Sequence, residues 1–562
     1  MMRNVCCARA AALCALLALA AGAAGQHPQP ARQGERTHDG RLAPALKNLG
    51  NLHYPVTTKS KDAQRFFNQG LTLVYAFNHA EALRSFREAA RLDPDCAMAY
   101  WGQALALAPN INDSAIGGDR EQQGYDAIRE AAGRKQAANA KEQALIGALH
   151  ARFSGAAEPD RAALNRAYAG DMAKVHALYP NDPDIATLYA DAVMNTMPWS
   201  YWMRDGQPKP GVAEARAALE NALRRAPNHP GVNHIYIHLM EASDHVDLAE
   251  PSADRLGSLV PAAGHLVHMP SHIYIRVGRY NDAAAANIKA IAADEDYITQ
   301  CRAQGIYPAA YYPHNIHFLN AALSMDGRGR EALESARKVA AQHDHQMMHE
   351  PGFGFAHLLK AIPALTMVRF GYWDQALAEP EPPEDQVFGR AIRHFARGHA
   401  LSARGKPAEA RAELEALQKL AENPSLGELT IFDTNSLDKI AVIAVAMLEA
   451  ELARQAGRHE EAVAGYRRAV AAEEDLRYSE PPDWPLPPRQ YLADALLAAG
   501  RFAEAEAVYR EDLKRHRANG WSLYGLEQSL RKQGKEKEAG RVRAQFAAAW
   551  RRADAQLTAS RF

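Results

Sequence analysis

Cysteine is nearly absent: the 562 residues hold five, and Cys6, Cys7 and Cys14 fall in an N-terminal segment that reads as removable. The two that remain, Cys96 and Cys301, lie far apart, which excludes a disulfide-built scaffold. Cys96 opens a helix and suits a small buried side chain better than a soft metal ligand. Net charge is missing as well. Lys and Arg number 65 against 66 Asp and Glu, a formal charge of -1, so the broad basic face of a nucleic-acid or anionic-membrane binder is not there. β-Branched residues are sparse beside Ala, Leu, Glu and Arg, which argues against sheets and for helices. No P-loop, no G-x-G-x-x-G after a strand, no G-x-S-x-G elbow and no H-E-x-x-H occurs, and the common nucleotide and hydrolase chemistries fall away with them.

What is present begins with an export signal. Arg3 and Arg9 precede an apolar run from Ala10 to Ala21, followed by the small residues Ala21-Gly22-Ala23-Ala24-Gly25. The run is too short for the ~20 residues that span a bilayer, so it predicts a cleaved signal peptide over residues 1–25. The mature chain is then periplasmic or secreted, with no transmembrane segment. Cys14 lacks the small preceding residue that lipid attachment needs. Residues 26–59 are polar and rich in Pro, Gly, Arg and Gln, as expected of an arm or linker.

A chain this long must divide into domains or extend as a repeat array. From Lys61 to Pro94, Gly70 permits close approach of a first helix, Ala82, Phe86 and Ala89 pack a second, and Pro94 ends the unit. The same helix-packing alanine recurs at Ala215, Ala249, Ala283, Ala332, Ala376, Ala410, Ala462, Ala505 and Ala539. These residues resemble the tetratricopeptide repeat (TPR) superfamily. The whole chain also resembles a group of uncharacterised exported bacterial TPR proteins in Asp93-Pro94-Asp95-Cys96-Ala97-Met98-Ala99-Tyr100-Trp101, in Gly264-His265-Leu266 to Ile273-Tyr274, and in Glu480-Pro481-Pro482. The resemblance implies an all-α, right-handed superhelical solenoid of antiparallel helix pairs, whose first helices line a concave groove with positions 2, 5, 9 and 12 toward a ligand. The expected organisation is N-terminal units over 60–110, a divergent helical region over 111–210, central units over 211–350 and C-terminal units over 351–562. The prolines of Tyr478 to Arg489 exclude a continuous helix and predict a rigid loop.

With the helix-packing alanine at position 20, the central units start at Pro230, Gly264 and Pro313. His234 and His238 then stand at positions 5 and 9, His265, His268 and His272 at 2, 5 and 9, and His314 and His317 at 2 and 5. Glu241 adds a carboxylate at position 12 on the face of His234 and His238. Imidazoles at such spacing hold divalent ions at roughly 2.0 to 2.1 Å. The register predicts one site from His234, His238, Glu241, His268 and His272, and a second from His265, His314 and His317. Nearby Met240, Met269, Met347 and Met348 suit copper, and imidazole with carboxylate suits zinc or iron.

Other candidates border the same groove: Tyr311, Asn315, His399, Glu480 and Arg489. The cluster His343-Asp344-His345-Gln346-Met347-Met348-His349-Glu350 reads as a solvated loop or helix end. Two functions stay open. One is a scaffold that binds a transition metal and a ligand in its groove, with metal-dependent catalysis as an extension. The alternative is a non-enzymatic module of the cell envelope that binds a peptide, protein or small molecule. Nucleic acid is not an expected partner.

Overall fold

Small residues set the helix spacing. The computed structural model describes residues 36–114, 116–301, 307–343, 346–349, 352–432 and 434–562; the expected signal peptide, and Asp344, His345 and Glu350 of the histidine cluster, lie outside them. The first pair is Lys61–Tyr75 and His79–Leu92, opened by the Ser60 hydroxyl accepting from the Ala63 amide. Phe86 of the second helix packs so closely that a Cβ on Gly70 would approach its ring to 2.7 Å, and one on Gly102 of the following helix to 2.3 Å. One phenylalanine is thus seated between two glycines. The ten alanines read as the packing position obey the same rule: nine are 0 % exposed and Ala376 is 1 % exposed. A larger side chain there would cost about 1–3 kcal/mol of overpacking.

Helix pairs of this kind run the length of the described chain, from Lys61–Tyr75 with His79–Leu92 to Gly520–Lys532 with Glu536–Ala549. The stretch 111–210 joins the series through Ala140–His150 with Arg161–Leu178 and Pro183–Met194 with Val212–Arg225. Among the described residues, the extended structure is one short antiparallel pairing, Thr430–Ile431 with Asn435–Ser436, beside isolated bridges at Asn110–Asp113 and Trp202–Pro208, and no helix there is long and apolar enough to cross a membrane.

The central pairs place the site. Their first helices are Pro230–Met240, the split helix Gly264–His268 and Pro270–Val277, and Tyr312–Met325; their second helices are Glu250–Leu259, Tyr280–Cys301 and Gly329–Ala340. The array then folds back on itself. Trp521 Nε1 donates to Ser324 O at 3.0 Å, Tyr280 OH to Arg517 O at 2.9 Å, and Asp554 accepts from the Gly329 amide at 2.7 Å.

Two expectations change here. Residues 36–59 are no free linker: their backbone amides are pinned by the Glu88, Gln69 and Glu142 side chains. The groove is also partly filled. The histidine column is buried except for the half-buried His314, and in the C-terminal units the side chain of Arg561 lies between Glu451 (2.9 Å) and Asp494 (3.0 Å). The proline-rich segment is the expected non-helical loop, with Trp484 as its buried anchor donating to Met447 Sδ at 3.1 Å.

Candidate metal centre

Helical spacing puts His234 and His238 one turn apart on Pro230–Met240, and the next first helix supplies His265 from its opening turn. The ligand atoms of these three lie within 4.8 Å of one another. One repeat further on the arrangement recurs: His268 and His272 are joined by His314, again within 4.8 Å. The ring separations match. They are 4.7, 4.9 and 5.8 Å for His234–His238, His234–His265 and His238–His265, and 4.7, 4.9 and 5.7 Å for His268–His272, His268–His314 and His272–His314.

The repeat explains both triads and corrects the grouping expected from sequence. Positions 5 and 9 of one unit converge with position 2 of the next. Of that unit's own positions 5 and 9, His272 comes near His238, at 5.8 Å between rings and through the Glu241 they share, but joins the other triad. His265 therefore belongs with His234 and His238, and His314 with His268 and His272. The expected set of His265, His314 and His317 does not form. His317 stands at position 5 of the third unit, where position 9 is Ala321; it is buried in neither triad, and burial pushes it down to about 4.

Hydrogen bonding fixes which nitrogens point inward. His234 Nδ1 meets the Tyr75 carbonyl at 2.7 Å, His238 Nδ1 meets Glu241 Oε1 at 2.7 Å, and His272 Nδ1 meets Glu241 Oε2 at 2.5 Å. His268 Nδ1 meets Asn287 Oδ1 at 2.7 Å, an amide oriented by its own donation to Ala283 O. Each partner is an acceptor, so each Nδ1 carries a hydrogen and each Nε2 is turned inward, where the neutral ring presents a lone pair. His234 Nε2 faces His265 Nε2 at 3.1 Å, and His268 Nε2 faces His272 Nε2 at 2.8 Å. Two lone pairs at that distance repel unless a proton or another cation lies between them.

Electrostatics divides the residues further. Burial, reinforced by neighbouring imidazoles, drives His234, His265, His268 and His314 well below the ordinary range. Burial also opposes the imidazolium of His272, but Glu241 and then Glu480 outweigh it and raise that residue. Burial alone would raise Glu241; His272 and His238 hold it down. Glu480 is raised by burial with the Glu241 charge against the pull of His272. Its Oε2 stands 3.3 Å from His272 Nδ1, and with Glu241 and His272 it makes a third set of candidate ligand atoms.

The walls come from far along the chain. Phe77, at φ 57°, sets its ring edge-on to His234 at 4.6 Å and stacks on His265 at 5.3 Å; Trp199, at φ 58°, meets His238 edge-on at 5.4 Å. Phe318 lies 4.7 Å from His268 and 4.5 Å from His272, and Tyr311 lies 5.0 Å from His265. Tyr311 and Glu480 are thus brought to the site. Asn315 is not: its amide donates to Asp294 at 2.6 Å. Arg489 pairs with Glu473 and Glu474, and His399 packs on Phe395 in the C-terminal units. His343 bonds the Ala309 carbonyl at 2.7 Å, and His349 pairs with Asp385 at 3.0 Å. Sequence reasoning missed Phe77 and Trp199. Both are bulky residues in the left-handed region, and nothing in local spacing announces that conformation.

No protein-family model matches the chain, and no curated protein matches it. Among solved structures it is similar to the APC/C hetero-tetramer Cut9–Hcn1, with a TM-score of 0.32 and 12% identity over 87% of this chain and 76% of that one. It is also similar to the human IFIT1 dimer with m7Gppp-AAAA, at TM-score 0.29 and 11% identity over 88% and 91%. The P58(IPK) TPR domain follows at TM-score 0.21 and 13% identity over 85% and 99%. On its own helix pairing and its buried packing alanines, the chain is an all-α solenoid of antiparallel helix pairs.

Proposed function

We propose that this protein is an exported TPR scaffold whose central repeats bind transition-metal ions at two three-histidine sites. The observation that carries the reading is the orientation of the imidazoles. Four Nδ1 atoms are held by acceptors, which turns four Nε2 lone pairs into the interior of the two triads. Such outer partners are the usual companions of ligating histidines, because they fix tautomer and ring direction. Copper, zinc and iron all accept imidazole. Glu241, expected from sequence as a ligand or a base, is committed to two imidazole N–H groups, so the proposal assigns it a positioning role.

Elemental analysis of the chain purified without chelators tests the reading, beside the double variants His234→Ala/His238→Ala and His268→Ala/His272→Ala. Stoichiometric metal in the parent, reduced in each variant, is the expected result. A parent that carries no metal and binds none on titration would refute it.

A protein-binding role is supported separately by the C-terminal units, which already hold the Arg561 side chain of the chain's last residues between Glu451 and Asp494. Titration of the Arg561→Ala variant with arginine-bearing peptides tests it; no gain in binding over the parent would count against it.

A further inference from the structure

We infer that the two triads form a single dinuclear cuprous centre rather than two independent sites. This rests on the metal-binding reading above and goes beyond it in nuclearity and in the class of ion. Nuclearity follows from spacing. The His238 and His272 rings are 5.8 Å apart and the His265 and His268 rings 5.9 Å, whereas the widest separations inside the triads are 5.8 and 5.7 Å. The narrowest separation between the triads therefore equals the widest within them, and the six rings make one continuous cluster.

A shared carboxylate ties the halves together. Glu241 Oε1 accepts from His238 of the first triad and Oε2 from His272 of the second. Each bond holds its ring in the tautomer that offers Nε2, so a single side chain sets a ligand of both ions. Glutamine offers one acceptor oxygen in place of two. In the Glu241→Gln variant one of the two histidines loses its bond to residue 241, and His272 alone has a second carboxylate, Glu480, within reach.

The class of ion follows from charge and surroundings. The first shell offers six imidazoles, and the walls over it are Phe77, Phe318, Trp199 and Tyr311. Taking an ion from water into such a setting costs energy that grows with the square of its charge, so a divalent ion pays about four times the penalty of a monovalent one. Two divalent ions would bring four positive charges into a buried cluster whose nearest carboxylates are Glu241 and Glu480. Two cuprous ions bring two. Three neutral nitrogens also complete a trigonal site for a monovalent ion, whereas zinc completes its tetrahedron with a fourth ligand.

The test is anaerobic loading of the full chain with Cu(I), read without oxidation by elemental analysis and by X-ray absorption at the copper edge. Two coppers per chain are expected, with a copper–copper scattering path of about 4 Å or less, which isolated ions lack. Glu241→Gln should weaken both coppers, by about 10- to 100-fold for an outer-shell change. One copper per chain, two coppers without a copper–copper path, or tight zinc binding without Cu(I) binding would each overturn the dinuclear cuprous centre while leaving metal binding intact. Failure to bind any metal would overturn the broader reading instead. The wild-type measurements stand whether or not the variant folds.

Discussion

Asp294, beside the histidine column, gives the sharpest stability prediction. It is fully buried, accepts from Tyr307 OH at 2.7 Å and from Asn315 Nδ2 at 2.6 Å, and burial pushes its carboxyl up to about 7. In the unfolded chain the same group titrates near ~3.9. The folded state therefore holds the proton more tightly, so the contribution is fully present below the unfolded value and is lost as pH rises through about 7. Three units at ~1.4 kcal/mol each put the loss between pH 4 and pH 8 at roughly 4 kcal/mol. Asp294→Asn removes the titration and keeps the contacts. Tyr307 can donate to the new amide oxygen, and Asn315, whose Oδ1 has no partner, can turn to accept from the new amide nitrogen. The variant should match the parent near pH 4 and exceed it by about 2–4 kcal/mol at pH 8. Urea midpoints across that range, with hydrogen exchange of amides in residues 264–325 as the local readout, check it. A parent-minus-variant difference that stays flat with pH would refute the reasoning.

Gly264→Ala should destabilise the same region by about 1–3 kcal/mol, since its Cβ would lie 1.8 Å from Asp294 Oδ1; a thermal melt within error of the parent would contradict this. Arg561→Ala leaves buried Glu451 with Arg454 as its remaining cation, and a loss of about 2 kcal/mol is expected, below the ~3–5 for a fully broken pair. Chemical denaturation reads that loss. His317→Ala should leave metal stoichiometry unchanged by elemental analysis, because the residue lies outside both triads.

Much of this architecture was legible in residue spacing. The ten packing alanines are chemically explicit, because each marks a place where two helices touch and nothing larger fits. The histidine register was legible for the same reason, and so was Glu480, whose prolines exclude a helix. The pairing of the triads was not. Position numbers along one helix do not say how far the next helix is offset, and here the second unit's first helix breaks between His268 and Pro270. Residues such as Arg489 and Asn315 kept the right register yet found nearer partners in Glu473 and Asp294. The walls were least legible, since Phe77 and Trp199 reach the site through tertiary folding alone.

Walls drawn from distant repeats limit how this solenoid can change. Phe77 precedes the first triad by more than a hundred and fifty residues, and Glu480 lies more than two hundred residues beyond His272. An open repeat array tolerates the gain or loss of a unit, which merely lengthens or shortens it. Here a unit added or deleted between residues 350 and 478 would carry Glu480 past His272, and one lost before residue 230 would withdraw Phe77 from His234. The repeat number is thereby locked by a contact between the ends of the count, and the array behaves as a closed figure of fixed length.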